Sequence, residues 1–245
     1  MRVRGGTLVV LASLAFASLA VAKKRTDADL PEKYRKLPFS LMSLSVGSPA
    51  HGFQLRAKRL RSNEHLLIKT GSEKKAFGHP ALVLMLQRSA RQMAREAPGA
   101  RLLVGDLSSE FGGFLPGHKS HQSGRDADVG FFVVDRDGNP KTLRKFVAFD
   151  AKGRARNGSG LRFDDYRNWL LVQMWLRDER AAIQHVFVAA HLRRRLLEFA
   201  KARPLFKKYA PAAARLLRQP RNSSPHDDHF HVRIHCPERQ IPLCK

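Results

Sequence analysis

Six of the chain's 11 histidines fall in two short clusters. His118 and His121 stand in GHKSHQSGRDADVGFF, and His226, His229, His231 and His235 stand in PHDDHFHVRIHC. Imidazole is both a metal ligand and a proton carrier near neutral pH, so clustering of this kind points to metal or acid–base chemistry. In the first cluster His121 and Asp128 are separated by QSGRDA, whose Gly124 permits a sharp turn. Such a turn can bring a loop imidazole and a carboxylate to one point. Asp128 immediately precedes an apolar run and is expected at the mouth of a strand; Asp126, on the same face if the strand extends back, is the rival ligand. In the second cluster His229 and His231 flank Phe230, so on a strand both imidazoles share one side while Phe230 faces the core. His226 lies just before them on a loop whose Asp227 and Asp228 can orient an imidazole. Either cluster alone reads equally well as a solvated polar loop. Together they offer three ligands and one open position, the arrangement a hydrolytic zinc needs to hold a water whose pKa falls toward about 7.

Elements that can position these residues surround them. SLSVGSPAHGFQL suggests a short hairpin, and HLLIKT (65–70) and RLLVGDLS (101–108) read as strands. His79-Pro80 opens a helical pattern that stops at Pro98-Gly99. Residues 109–127 form a long loop rich in Gly, His and Ser, and VGFFVV (129–134) reads as a buried strand closed by the turn Asp137-Gly138-Asn139-Pro140. Phe146–Phe149 suggests another short strand. Asp164–Glu179 reads as an amphipathic helix capped by Asp164 or Asp165, and IQHVFVA (183–189) as a strand. Two basic helical segments follow, 191–202 and 205–217, the second interrupted at Pro211. FHVRI (230–234) alternates like a strand. Strands and helices interspersed around one core give an α+β class and one domain.

Composition sets the surroundings. With 43% hydrophobic residues and 15 Phe a core can form, which excludes wholesale disorder, and two cysteines exclude a multi-disulfide scaffold or a four-cysteine zinc finger. The formal charge of +24 suits nucleic acid, anionic membrane or acidic wall polymer alike. Arg2 and Arg4, the uncharged run Thr7–Ala20 and the sequence Ala20-Val21-Ala22 read as a secretory signal peptide over residues 1–22, cut after Ala22. Its removal takes two arginines and no acid, leaving +22. Export argues against nucleic acid as the working partner and for anionic envelope polymers; once the signal is cleaved no stable membrane insertion is expected. Residues 23–40 read as a charged leader or linker, and 41–245 as the working domain. In an oxidising compartment Cys236 and Cys244 are expected to close a local disulfide.

His121, then Asp128, and far downstream the pair His229 and His231, resemble the LAS group of zinc peptidases. The longer stretches GHKSHQSGRDAD (117–128) and HDDHFHVRIHC (226–236) are similar to the penicillin-insensitive murein endopeptidase family, over most of the chain from about residue 40. The resemblance implies one domain with a central, mostly antiparallel sheet that carries the site and is flanked by helices. It implies a zinc held by His121, Asp128 and His231, with His229 as general base or oxyanion stabiliser and His226 as the second catalytic imidazole. His118 matches the family motif and is a possible additional metal contact; Asp164 could assist it, but Arg167 follows where a further ligand would be wanted. The implied substrate is the D-alanyl–meso-diaminopimelate cross-link of peptidoglycan, in the periplasm. The alternatives are a LAS-type D,D- or L,D-carboxypeptidase, an exported metal-dependent nuclease, and an inactive basic wall-binding protein. His51, His65, His79, His185 and His191 stand singly and are expected to pack or be solvated, and His235 to end a strand. Trp169 and Trp175 are expected in the core, and Arg193, Arg194 and Arg195 on a solvated helix face.

Overall fold

The computed structural model describes residues 24–220 and 223–245. The expected signal peptide lies outside the described residues. Three short 3-10 turns between Asp27 and Leu41 lead into the hairpin β1 (Leu44–Gly47) and β2 (Gly52–Leu55). The segment read as a leader is packed against it: Leu30 and Tyr34 are buried with Leu44 and Leu55 in a small satellite core, with Phe39 beside them and Asp27 paired with Arg56.

The short strand β3 (Lys58–Arg59) is followed by β4 (Leu66–Ile68), β5 (Phe77–Gly78), helix α1 (Pro80–Glu96) and β6 (Leu102–Val104). His79 caps α1, its Nδ1 accepting the Ala81 N–H at 3.3 Å, and Pro80 occupies the first turn, where its missing N–H costs nothing. Then come β7 (Asp126–Gly130), β8 (Val133–Val134), β9 (Pro140–Lys141) and β10 (Arg162–Phe163). The apolar run after Asp128 is therefore not one strand. It breaks at Phe131 and Phe132, where the chain leaves the main sheet for the small sheet β10-β8-β9. Both rings stay buried through the change, so hydrophobicity alone could not mark it. Nor is Asp128 at a strand mouth: β7 begins at Asp126. Phe146–Phe149 forms no strand, only an isolated bridge from Phe149 to Ala155.

The chain continues through α2 (Asp165–Leu176), β11 (Ile183–Phe187), α3 (Ala190–Lys201), α4 (Pro204–Lys207), α5 (Ala210–Leu216), β12 (Leu217–Arg218) and β13 (His229–Ile234). Pro211 does not interrupt a helix. It sits in the first turn of α5, and the break precedes it. The main sheet is mixed, in the order β12-β11-β13-β7-β6-β4, with its three central pairings antiparallel and both edge pairings parallel. One face carries Val186, Phe230, Val232, Ile234, Ala127 and Val129 into the principal core, packed with residues of α1, α2, α3 and α5. Trp169 and Trp175 belong to that core, Trp175 meeting Phe230 edge-on at 5.3 Å. The three arginines of α3 do not share one solvated face. Arg193 donates to the carbonyls of Leu217 and Ala214, and Arg195 pairs with Asp165, which leaves Arg194 exposed. Cys236 and Cys244 are disulfide-bonded, with Cα atoms 5.7 Å apart. Among the described residues no helix is long and apolar enough to cross a membrane.

Candidate metal centre

The other face of the sheet carries the chemistry. Antiparallel register sets His231 opposite Asp128, His229 opposite Gly130 and Arg233 opposite Asp126, while Phe187 of β11 stands opposite His231. The alternation that buries Phe230 at 0% exposure thus projects both flanking imidazoles into a cleft of about 570 Å³.

His121 reaches the same point from the loop before β7, with a left-handed backbone of φ +69°. That conformation is strained for a non-glycine residue and is held from several sides. The His121 N–H donates to Asp126 Oδ2 at 3.0 Å, its carbonyl accepts from Ser108 Oγ, and its Nδ1 lies 2.6 Å from the Leu107 carbonyl. Since a carbonyl can only accept, Nδ1 carries a proton and Nε2 faces the cleft. His231 is fixed in the same manner, its Nε2 lying 3.1 Å from Asp126 Oδ1, which turns Nδ1 toward His121. Asp126 therefore does not compete as a ligand. Its oxygens are occupied by the His121 N–H, His231 and Arg233, and it steers both imidazoles.

His121 Nε2, His231 Nδ1 and Asp128 Oδ1 form a nearly equilateral triangle with edges of 3.2, 3.2 and 3.3 Å. Ligand atoms about 2.0–2.1 Å from a tetrahedral zinc lie roughly 3.3–3.4 Å apart, so the donors present fit such an ion. Asp128 Oδ1 is buried and has no hydrogen-bond partner, the condition of a carboxylate oxygen that awaits a cation. Burial opposes charge here, yet His121 and His229 outweigh it and hold the Asp128 carboxyl well below the usual range. Conversely, burial disfavours protonated His121, but Asp128 and Asp126 raise its proton affinity. The centre draws positive charge, whether proton or metal.

The remaining predicted residues ring this triangle. His229 Nε2 is 3.4 Å from Asp128 Oδ1, its Nδ1 is 2.6 Å from Asp228 Oδ1, and Phe146 stacks on its ring at 4.9 Å. Against burial, Asp128 and then Asp228 raise its pKa to about 10. His226 has a left-handed backbone of φ +53°, and its ring centre is 5.3 Å from that of His229 and 5.6 Å from that of His231. Its Nδ1 is buried without a partner, and burial together with His229 and His231 lowers its pKa to about 4. His118 lies on the far side of His121, its Nδ1 3.9 Å from Asp128 Oδ2 and its Nε2 2.9 Å from Asp106. Donor atoms of His118, His121 and Asp128 fall within 4.8 Å of one another, so this triple also could hold an ion. Asp164 is not at the site. Its oxygens bond the N–H and guanidinium of Arg167 and cap α2.

Sequence reasoning missed Asp106, Asp228's true partner and Phe146. Asp106 lies two residues beyond β6, and it anchors His118 while itself held by Ser72 and Lys75. Asp228 is adjacent in sequence to the imidazole it orients, yet adjacency across a loop-to-strand junction does not reveal direction.

The family model for penicillin-insensitive murein endopeptidase matches residues 45–245. Proteins with the same description from Escherichia coli O6:K15:H31 (strain 536 / UPEC) and E. coli O1:K1 / APEC are each 27% identical to this chain over 227 residues, covering 91% of it and 78% of theirs.

Proposed function

From the premise that this chain belongs to the penicillin-insensitive murein endopeptidase family, we propose that it is a periplasmic zinc peptidase that hydrolyses the D-alanyl–meso-diaminopimelate cross-link of peptidoglycan. The observation that carries the metal half of this reading is the orphaned Asp128 Oδ1 at the corner of the His121–Asp128–His231 triangle. Zinc bound there would supply Lewis acidity and lower the pKa of a water in its open position.

The chain's own groups account for proton handling. Asp228 holds His229 by Nδ1, so Nε2 faces the cleft and can take the proton of the attacking water and return it to the leaving amine. The first charge that raises the proton affinity of His229 is that of Asp128, and a cation beside Asp128 would cancel it and bring His229 toward the working range. Burial and the neighbouring imidazoles keep His226 neutral at neutral pH, and its ring lines the cleft, where it would donate to the oxygen that gains charge as the peptide bond is attacked. Phe187 and Phe146 form apolar walls beside the imidazoles and limit their exposure to bulk water.

The test is metal analysis and sacculus digestion with His231→Ala protein. We expect loss of zinc retention and a fall of at least about a thousandfold in hydrolysis. Full hydrolysis by the variant would overturn the assignment. Weighing the products separates the endopeptidase, which splits cross-linked dimers, from a carboxypeptidase, which releases single residues.

A further inference from the structure

At two cavities Arg88 pairs with Asp178 and Arg233 with Asp126. A hollow of about 380 Å³ is lined by Arg136, Arg154 and Arg162 against a single carboxylate, Asp150. Asp150 is already engaged by Arg154 at 2.9 Å and by the N–H groups of Lys152 and Arg154. Among the described residues no acidic side chain pairs with Arg136 or Arg162.

The backbone brings these residues side by side. Arg154 and Arg162 are directly opposite across an antiparallel bridge, and of the two Arg154 has the Asp150 carboxylate as a partner. Arg136 lies across Gly160, a residue with φ +78° at which a Cβ would strike the Arg136 side chain. All three side chains are exposed, and guanidiniums so placed can take a carboxylate by paired N–H donors.

The hollow and the cleft are lined by residues two apart along the chain. Ala148 lines the cleft, and Asp150, Arg154 and Ala155 line the hollow. The turn between them is clamped by the Phe149–Ala155 bridge and by bonds from Phe149 N–H to the Asp227 carbonyl and from Arg156 to the Asp227 carboxylate, both at the cleft's rim.

We propose that the Arg136–Arg154–Arg162 hollow is a carboxylate subsite that seats a stem-peptide carboxylate of peptidoglycan while the cross-link lies in the cleft. This rests on the murein reading above and adds to it a place of attachment. Arg162 and Arg136 bind the carboxylate, and Arg154, tethered by Asp150, fixes the hollow's rim.

The experiment compares the full zinc-loaded chain with its Arg136→Gln/Arg162→Gln variant. Co-sedimentation is measured with purified sacculi, with sacculi whose carboxylates have been amidated, and with a soluble phosphate polymer. Hydrolysis is measured on sacculi and on a soluble cross-linked peptide dimer. We expect the variant to bind sacculi about tenfold more weakly, with a shallower salt dependence. Wild type and variant should bind amidated sacculi equally, and the variant should cut the dimer, which carries the same stem-peptide carboxylates, about tenfold more slowly below saturation. A Gly160→Ala variant, which displaces Arg136 without removing charge, should reproduce part of the loss. Equal sacculus binding by wild type and variant overturns the subsite. So does an undiminished difference on amidated sacculi, or a difference confined to the phosphate polymer. If no substrate is cut by the wild type, the murein reading fails, while the binding arms still decide the hollow.

Discussion

The two halves of the candidate metal centre are held by different means. On β13, His229 and His231 are placed by sheet register, which fixes their spacing and side once Phe230 is buried. In the loop before β7, His121 has no such lattice. It is placed by a left-handed backbone and by bonds to Leu107, Ser108 and Asp126. A strand delivers geometry through a repeating pattern, whereas a loop must specify each contact separately. One residue serves both halves. Asp126 accepts the His121 N–H and also aligns His231.

Asp126→Asn therefore breaks the comparison most severely. An amide keeps one acceptor oxygen but carries no charge to balance Arg233, and its NH2 finds no acceptor among the His121 N–H, His231 and Arg233. Zinc affinity should fall about 10–100-fold, read by competition with a chelator, and thermal stability should drop by about 3 kcal/mol as a buried charge pair is lost. An effect limited to the His231 side would mean that His121 is held by its loop alone.

A narrower cut falls on the strand half. Asp228→Asn leaves the triangle intact and removes only the orientation of His229. kcat should fall about tenfold to a hundredfold with zinc content unchanged. A proportional rise in KM would instead assign Asp228 to substrate binding.

The loop half has its own probe. Gly124, at φ +73°, lies beneath Gln54, and an added Cβ would strike that side-chain amide, which is tied to the Ser109 carbonyl at 2.7 Å. Gly124→Ala should cost about 2 kcal/mol and weaken zinc binding through His121, while the β13 residues keep their register. Amide-exchange protection retained across β13 but lost over 118–125 would mark the halves as separable.

The same contrast explains what was legible beforehand. Alternation in HFHVRI announces a strand with both imidazoles on one side, and a capped periodic segment announces α1. In the loop the Gly124 turn pointed to His121 meeting Asp128 and the motif's resemblance added His231, but no periodicity encodes a left-handed His121 or a carboxylate that steers two rings. VGFFVV misled for a related reason: an apolar run records burial, and Phe131 and Phe132 stay buried while the chain changes sheets. Charge dominates the composition of the segment read as a leader, and the contacts that Leu30, Tyr34 and Phe39 make with the hairpin were not legible in it.

The smallest expected effect concerns a histidine outside the centre that joins the two regions. His79 N–H donates to the Gly124 carbonyl at 2.7 Å, and its Nε2 lies 3.1 Å from Gln240, beyond the second motif. Burial lowers its pKa to about 4; the Ser43 carbonyl opposes this and Arg125 adds to it. The unfolded chain binds this proton with a pKa near 6.5, so between pH 6.5 and 4 it holds more protons than the folded one. Stability from this site is thus complete above pH 6.5 and declines as pH falls toward 4, by about 1–2 kcal/mol after allowance for partial exposure. His79→Asn keeps a cap for α1 and removes the titration, so its unfolding free energy should lose less than wild type's over that window. Parallel pH profiles for the two proteins would show that the link between the loop and the tail does not depend on a neutral His79.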